Sequence, residues 1–251
     1  MKKGKIYIGT SGYQYFHWRK VFYPEDLISY RWLEYYTKYF QTVELNVTFY
    51  RLPQEKTFKS WYRRVPEDFL FVVKGSRFIT HIKRLKGVKK ATKLFFQRVN
   101  LLKEKLGLIL WQFPPSFKIE NKNLERLQKF LEILSYFKTG QAFEFRHQSC
   151  FSKEVFQLLK KYRAALVIAD SPRFPLVEKI TSNFIYLRFH GGKILYGSKY
   201  SSSELKEWAK KIKKWQKRGF DIYAYFNNDA HGYAVENALE LIKMTKQKKK
   251  E

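Results

Sequence analysis

Three short stretches of the chain alternate charged and apolar residues so that acids and bases share one face of an extended strand. From Val43 to Phe49, Glu44, Asn46 and Thr48 separate from Val43, Leu45, Val47 and Phe49. Glu144 and Arg146 alternate with Phe143 and Phe145, and Tyr186, Arg188 and His190 with Ile185, Leu187 and Phe189. Because successive strand side chains point to opposite faces, each stretch offers an apolar face for packing and a polar face for a site. The same alternation places Lys74, Gln112, Asp170 and Asn227 at the C-terminal ends of further strands.

Glu44 and Glu144 are candidate proton-transfer groups, since two carboxylates in unlike surroundings can have their proton affinities driven apart; His190 is a third. Arg146 and Arg188 suit bidentate binding of phosphate or carboxylate, with Lys74 as a further anion contact or, if burial neutralised it, a Schiff-base former. Asn46, Gln112, Asp170 and Asn227 complete the substrate-binding set. A structural alternative stands beside this one. Glu44, Glu144 and Asp170 can neutralise Lys74, Arg146 and Arg188 one for one as a buried ion-pair network. His81, His147 and His190 with Asp170 are weak candidates for a divalent metal site, although no compact motif such as H-E-x-x-H is present.

Two loops add to the set. The stretch Gly12 to Tyr23 interleaves aromatic and basic residues, so Tyr13 and Trp18 can stack on a ligand or close over the site as a hydrophobic lid. Gly9 and Gly12 do not make a dinucleotide fingerprint, whereas Gly191-Gly192 is a phosphate-loop candidate.

The elements that must hold these residues are β-rich runs at Ile6 to Ser11, Val43 to Tyr50, Leu70 to Lys74, Leu106 to Phe113, Ala142 to His147, Ala165 to Asp170, Phe184 to His190 and Ile222 to Asn228. Helical patterns fall between them at Leu27 to Tyr39, Thr57 to Arg64, Lys90 to Lys103, Leu124 to Phe137, Lys153 to Tyr162, Ser203 to Lys217 and His231 to Lys246. Strand then helix, repeated, implies a parallel sheet, and eight repeats in 251 residues imply a closed (β/α)8 TIM barrel. The sixth helix is expected to be short or irregular, because Ser171-Pro172-Arg173-Phe174-Pro175 breaks the period. Ser201 to Glu204 has a capping-box spacing, and Asn227-Asn228-Asp229 offers a cap for the last helix.

No linker-like break divides the chain, so residues 1–251 are expected to form one domain, with a basic, frayed tail at 244–251. Lysine and arginine number 50 against 22 acids, a formal charge of +28 whose field attracts phosphates or nucleic acid. The lone Cys150 excludes an internal disulfide or a thiolate zinc cluster and fits a reducing compartment. No export or membrane segment is visible, so the expected location is cytoplasmic, with no membrane partner. Oligomeric state is not readable.

Several blocks taken together resemble the YecE-like family of TIM-barrel proteins, the domain of unknown function seventy-two. They are Gly9-Thr10-Ser11-Gly12 with Trp18 and Phe22-Tyr23-Pro24, Thr42 to Tyr50, Phe71 to Lys74, Thr80-His81, Leu110 to Pro115, Glu144 to His147, Arg188 to Gly191 and Phe226 to Asp229. Tyr13 and Cys150-Phe151 depart from it where tryptophan is usual. The resemblance implies the barrel independently of the strand count and brings no established activity. The residues themselves suggest an enzyme acting on a phosphate-bearing or other anionic substrate at the C-terminal mouth, with isomerase, lyase and phosphoester hydrolase all compatible. The alternative is a nucleic-acid-binding protein, a nuclease among the options, that uses the basic surface and the aromatic first loop.

Overall fold

The computed structural model describes residues 2–246. Residues 247–251, most of the expected basic tail, lie outside the described residues, and residues 244 and 245 are the end of the last helix.

Eight parallel strands form one sheet: β1 (Ile6–Thr10), β2 (Thr42–Leu45), β3 (Leu70–Lys74), β4 (Leu106–Gln112), β5 (Gly140–Glu144), β6 (Ala165–Asp170), β7 (Phe184–Phe189) and β8 (Asp221–Phe226). Each pairs with its successor from β2 through β8, and β1 returns to β8 with Ile6 opposite Ile222. Helices follow the strands: α1 (Trp32–Tyr36) after β1, α2 (Val47–Tyr50) and α3 (Glu55–Arg63) after β2, α4 (Lys89–Val99) after β3 and α5 (Asn121–Leu134) after β4. The last three are α6 (Lys153–Lys161) after β5, α7 (Ser202–Lys217) after β7 and α8 (Tyr233–Thr245) after β8. Between β6 and β7 the chain has no helix, as the two prolines imply.

Alternation along the strands makes two cores. Val43, Val73, Ile109, Phe143, Ile168, Leu187 and Phe226 face the helices, whereas Val72, Leu108, Leu110, Ala142, Val167, Tyr186, Tyr223 and Tyr225 fill the barrel. Tyr186 and Tyr225 pack beside one another, ring centroids 5.4 Å apart, and form the floor beneath the mouth.

Two expectations need correction. β2 ends at Leu45 instead of Tyr50, because residues 47–50 turn into α2; Thr48 Oγ1 then donates to the Lys74 carbonyl at 2.7 Å and caps the end of the neighbouring strand. The cap of α8 is Gly232 at φ 74°, not the Asn227-Asn228-Asp229 segment. Asn228 Nδ2 is occupied by the Ser198 carbonyl and Asn237 Oδ1, and Asp229 by the first loop. The capping box at Ser201 and Glu204 forms as expected, with each side chain bonding the other's backbone N–H.

The barrel closes between β1 and β2 through a single bridge, Ser11 to Glu44, among the described residues. A side chain completes the seam: the Tyr36 hydroxyl accepts from the Thr10 N–H at 3.0 Å and donates to the Thr42 carbonyl at 3.1 Å. Gly9 permits this approach, since a Cβ there would lie 2.3 Å from the Thr42 oxygen. Tyr36→Phe is expected to strand both backbone groups in a fully buried setting and lower unfolding free energy by about 1–3 kcal/mol. Urea denaturation would check this; an unchanged midpoint would show that the hydroxyl does not hold the seam.

Candidate functional site at the barrel mouth

The upper ends of β2, β5 and β7 bring Glu44, Glu144 and Arg188 together with no solvent exposure. Arg188 lies between the two acids, donating from Nη2 to Glu44 Oε1 at 2.8 Å and from Nη1 to Glu144 Oε2 at 2.5 Å. Glu44 also accepts from Ser11 Oγ at 2.7 Å and from the Tyr186 hydroxyl at 2.6 Å. Glu144 accepts from Arg146 Nε at 2.8 Å, and Arg146 Nη2 reaches the Tyr196 hydroxyl at 3.2 Å. Burial pushes the Glu144 carboxyl up, but Arg188 and then Arg146 outweigh it and hold the group well below the usual carboxylate range. It is an anionic anchor at any working pH.

Lys74, at the end of β3, is nearly buried, and its Nζ makes no hydrogen bond or ion pair among the described residues. The ammonium lies 4.2 Å over the Phe49 ring. Burial first, and Arg188 second, lower its pKa to about 7, against a partial pull upward from Glu144 and Glu44. The site therefore holds an amine that exchanges protons near neutrality.

Around this set stand groups with unused hydrogen-bonding capacity. Asn227 Nδ2 donates to His190 Nδ1 at 3.2 Å, which leaves the ring proton on Nε2. That Nε2 is buried without a hydrogen-bond partner, 3.6 Å from Glu144 Oε2. Burial lowers the His190 pKa to about 4, so the ring is neutral at pH 7. Arg188 Nε and Asn46 Oδ1 are likewise buried and unpaired. Gln112 Nε2 lies 3.4 Å from His81 Nε2, and His81, lowered to about 4 by burial and then by Lys74, is neutral as well.

Glu44, Glu144, Arg146, Arg188, Lys74, His190 and Asn227 thus belong to one neighbourhood. Asp170 does not. Ala165, Val167 and Ala169 are the inward residues of β6, so Asp170 points outward, where it accepts from Trp208 Nε1 of α7 at 2.9 Å. Tyr13 and Trp18 are packed within the first loop: the Tyr13 hydroxyl accepts from Trp61 Nε1 at 3.2 Å, and Trp18 Nε1 donates to Asp229 at 2.6 Å. Neither presents a ring face to a ligand, since both are almost wholly buried. The loop is a fastened lid, with His17 also on Asp229 at 3.0 Å.

The weak metal candidates are not drawn together. His147 caps a short turn by accepting from the Ser149 N–H, Asp170 faces α7, and no cluster of three or more His, Cys, Asp or Glu forms among the described residues. The loop after β7 is turned in on itself. Gly191 N–H donates to the Tyr200 hydroxyl, and the Lys193 and Ile194 N–H groups to Ser198 Oγ, so these amides do not form an open phosphate cradle.

Residues absent from the expected site but present in it are Ser11, Tyr196 and Phe49, whereas Tyr186, placed by alternation on the face of Arg188 without a role, holds Glu44. Tyr196 sits at φ 64° in an irregular loop, for which sequence carries no periodic signal.

No helix among the described residues is long and apolar enough to cross a membrane. The family model described as "Protein of unknown function DUF72" matches residues 7–251. The UPF0759 protein YunF of Bacillus subtilis strain 168 is 27% identical over 270 residues, covering 95% of this chain and 94% of YunF. The UPF0759 protein YecE of Escherichia coli K12 is 31% identical over 122 residues, 48% of this chain and 43% of that protein. A crystal structure of a DUF72 family protein from Thermotoga maritima MSB8 superimposes with a TM-score of 0.87 at 34% identity, covering 96% of this chain and 98% of the other. Agreement in sequence and in fold extends over nearly the whole length, and the chain belongs to the DUF72 family.

Proposed function

We propose that the chain is an enzyme acting on a phosphate-bearing or other small anionic substrate at the C-terminal mouth of the barrel. One observation carries this reading. With Asp170 facing outward, Glu44 and Glu144 are taken up by Arg188 and Arg146, so Lys74 in its protonated form has no acid of its own and the one-for-one neutralisation of a purely structural network fails. A buried cation without a counter-charge costs several kcal/mol, and a network built for stability alone would be balanced. An anion beside Lys74 and the partly exposed Arg146 restores the balance, and the unpaired Arg188 Nε and His190 Nε2 offer further donors.

The geometry also redistributes the roles. Glu144 is held too strongly as a carboxylate to donate a proton, and both oxygens of Glu44 are occupied, so these two acids position Arg188 and Arg146. Proton transfer falls to the Lys74 amine, whose affinity lies near working pH. Reaction class among isomerase, lyase and phosphoester hydrolase follows from the substrate.

Titration calorimetry with inorganic phosphate tests the reading. Wild-type protein should bind it, and Arg146→Ala should weaken binding about 10- to 100-fold, the worth of a charge-assisted hydrogen bond. Failure of phosphate, sulfate and simple carboxylates to bind would end it. The competing nucleic-acid reading draws on exposed Arg51, Arg77, Lys83, Arg173 and Lys193 in loops at the mouth. It requires oligonucleotide affinity that falls steeply with salt and is indifferent to Arg146.

A further inference from the structure

Two lysines are buried among the described residues, and they are unlike. Lys105, 6% exposed, directs its Nζ at the carbonyl oxygens of Tyr62 and Val65, 2.8 and 2.7 Å away, and is fully accounted for as a helix-end cap. Lys74, 8% exposed, has no such acceptors: its Nζ rests on the Phe49 ring, with Arg188, Arg146, Glu44, Glu144 and His81 as its charged or titratable surroundings. An amine that is enclosed, unbonded and flanked by guanidinium groups matches the arrangement that activates lysine as a nucleophile.

We propose that Lys74 forms a Schiff base with an aldehyde or ketone bearing an anionic group, the anion resting against Arg146 and the carbonyl carbon meeting Nζ. This rests on the anion-site reading above. The neutral amine attacks the carbonyl carbon; a C–N bond forms, and the C=O π pair moves to oxygen, which takes a proton. Nitrogen then gives a second proton to that oxygen, which already holds the one released by the ammonium, and the nitrogen lone pair expels it as water. From ammonium and carbonyl to iminium and water the charge stays at +1, and no oxidant or reductant is needed.

The probe is glycolaldehyde phosphate, incubated with the folded chain at pH 7 and followed by cyanoborohydride, which delivers hydride to the iminium carbon and fixes it as a secondary amine. Peptide mass spectrometry should find the adduct on Lys74 ahead of every surface lysine. Neutral glycolaldehyde should label it at least about tenfold more slowly, and inorganic phosphate should protect it. Lys74→Met, folded by circular dichroism, should lose the selective adduct. Glyoxylate used in parallel separates the sources of the anion: equal labelling identifies an oxo acid, weaker labelling a phosphate ester. Adducts scattered over the surface with Lys74 no faster than the rest overturn the proposal. If phosphate then still binds in an Arg146-dependent manner, the anion site survives without the Schiff base; if it does not, both readings fall.

Discussion

Arg188→Met is expected to lower unfolding free energy by about 3–5 kcal/mol, because it leaves Glu44 and Glu144 buried without the cation that lies between them. Methionine keeps the aliphatic stem and removes the guanidinium, so the loss combines the missing charge with a small cavity. The diagnostic variant is the double replacement Arg188→Met with Glu44→Gln. It removes one charge of each sign and leaves Glu144 paired with Arg146, so it should be more stable than Arg188→Met alone. Chemical denaturation of the wild type, both single variants and the double variant closes the cycle, with a coupling of about 0.5–3 kcal/mol expected for groups in direct contact. A cost below about 1 kcal/mol for Arg188→Met would mean that water reaches the acids and that the network is not a buried one.

Lys74→Met should have the opposite sign. A fall in pKa from 10.5 to about 7 means that the folded chain holds this proton poorly. At about 1.4 kcal/mol for each tenfold change in proton affinity, burial of the ammonium costs roughly 3–5 kcal/mol near pH 6. Below pH 7 the folded and unfolded chains both carry the proton and the cost is felt in full. Between about pH 7 and 10.5 the folded chain has released it while the unfolded chain retains it, so this residue's contribution to wild-type stability rises with pH across that window. The gain from Lys74→Met is therefore greatest at pH 6 and shrinks toward pH 10. Thermal unfolding at pH 6 and pH 9 checks it, and an equal gain at both would show that the effect is packing and not ionisation. The same variant should lose phosphate binding, a trade of stability against function typical of a charged site held in an apolar shell.

The barrel and most of its mouth were legible because strand periodicity is a local property. Wherever a charged residue interrupts an apolar run, as at Glu44, Glu144 and Arg188, it also reports the phase of the strand, and the inward face can be named. β6 shows where that logic stops. Ala165 to Ala169 is apolar on both faces, so nothing in the run says whether Asp170 points in or out. The parity is set by pairing with β7, where Ala169 lies opposite the inward Arg188. For Tyr13 and Trp18 the choice between two readings was open for a related reason: aromatic residues interleaved with basic ones fit a stacking platform and a packed lid equally well, and the partners that decide for the lid, Trp61 and Asp229, are remote in the chain. Tyr36 at the seam gave no signal, since its role depends on two backbone groups from different strands.

The seam has a consequence for how the chain is made. β1 leaves a ribosome before the other seven strands, yet its ladder partner is β8, and the Lys5 N–H finds Asp221 only 216 residues later. Its other neighbour offers one bridge and a tyrosine hydroxyl. The strands from β2 to β7 can pair in the order in which they emerge, each with the one before it. The earliest of the eight strands is thus the last to be secured, and until β8 appears the nascent barrel is an open sheet with β7 as a bare edge, the interval in which such a chain is most exposed to wrong partners.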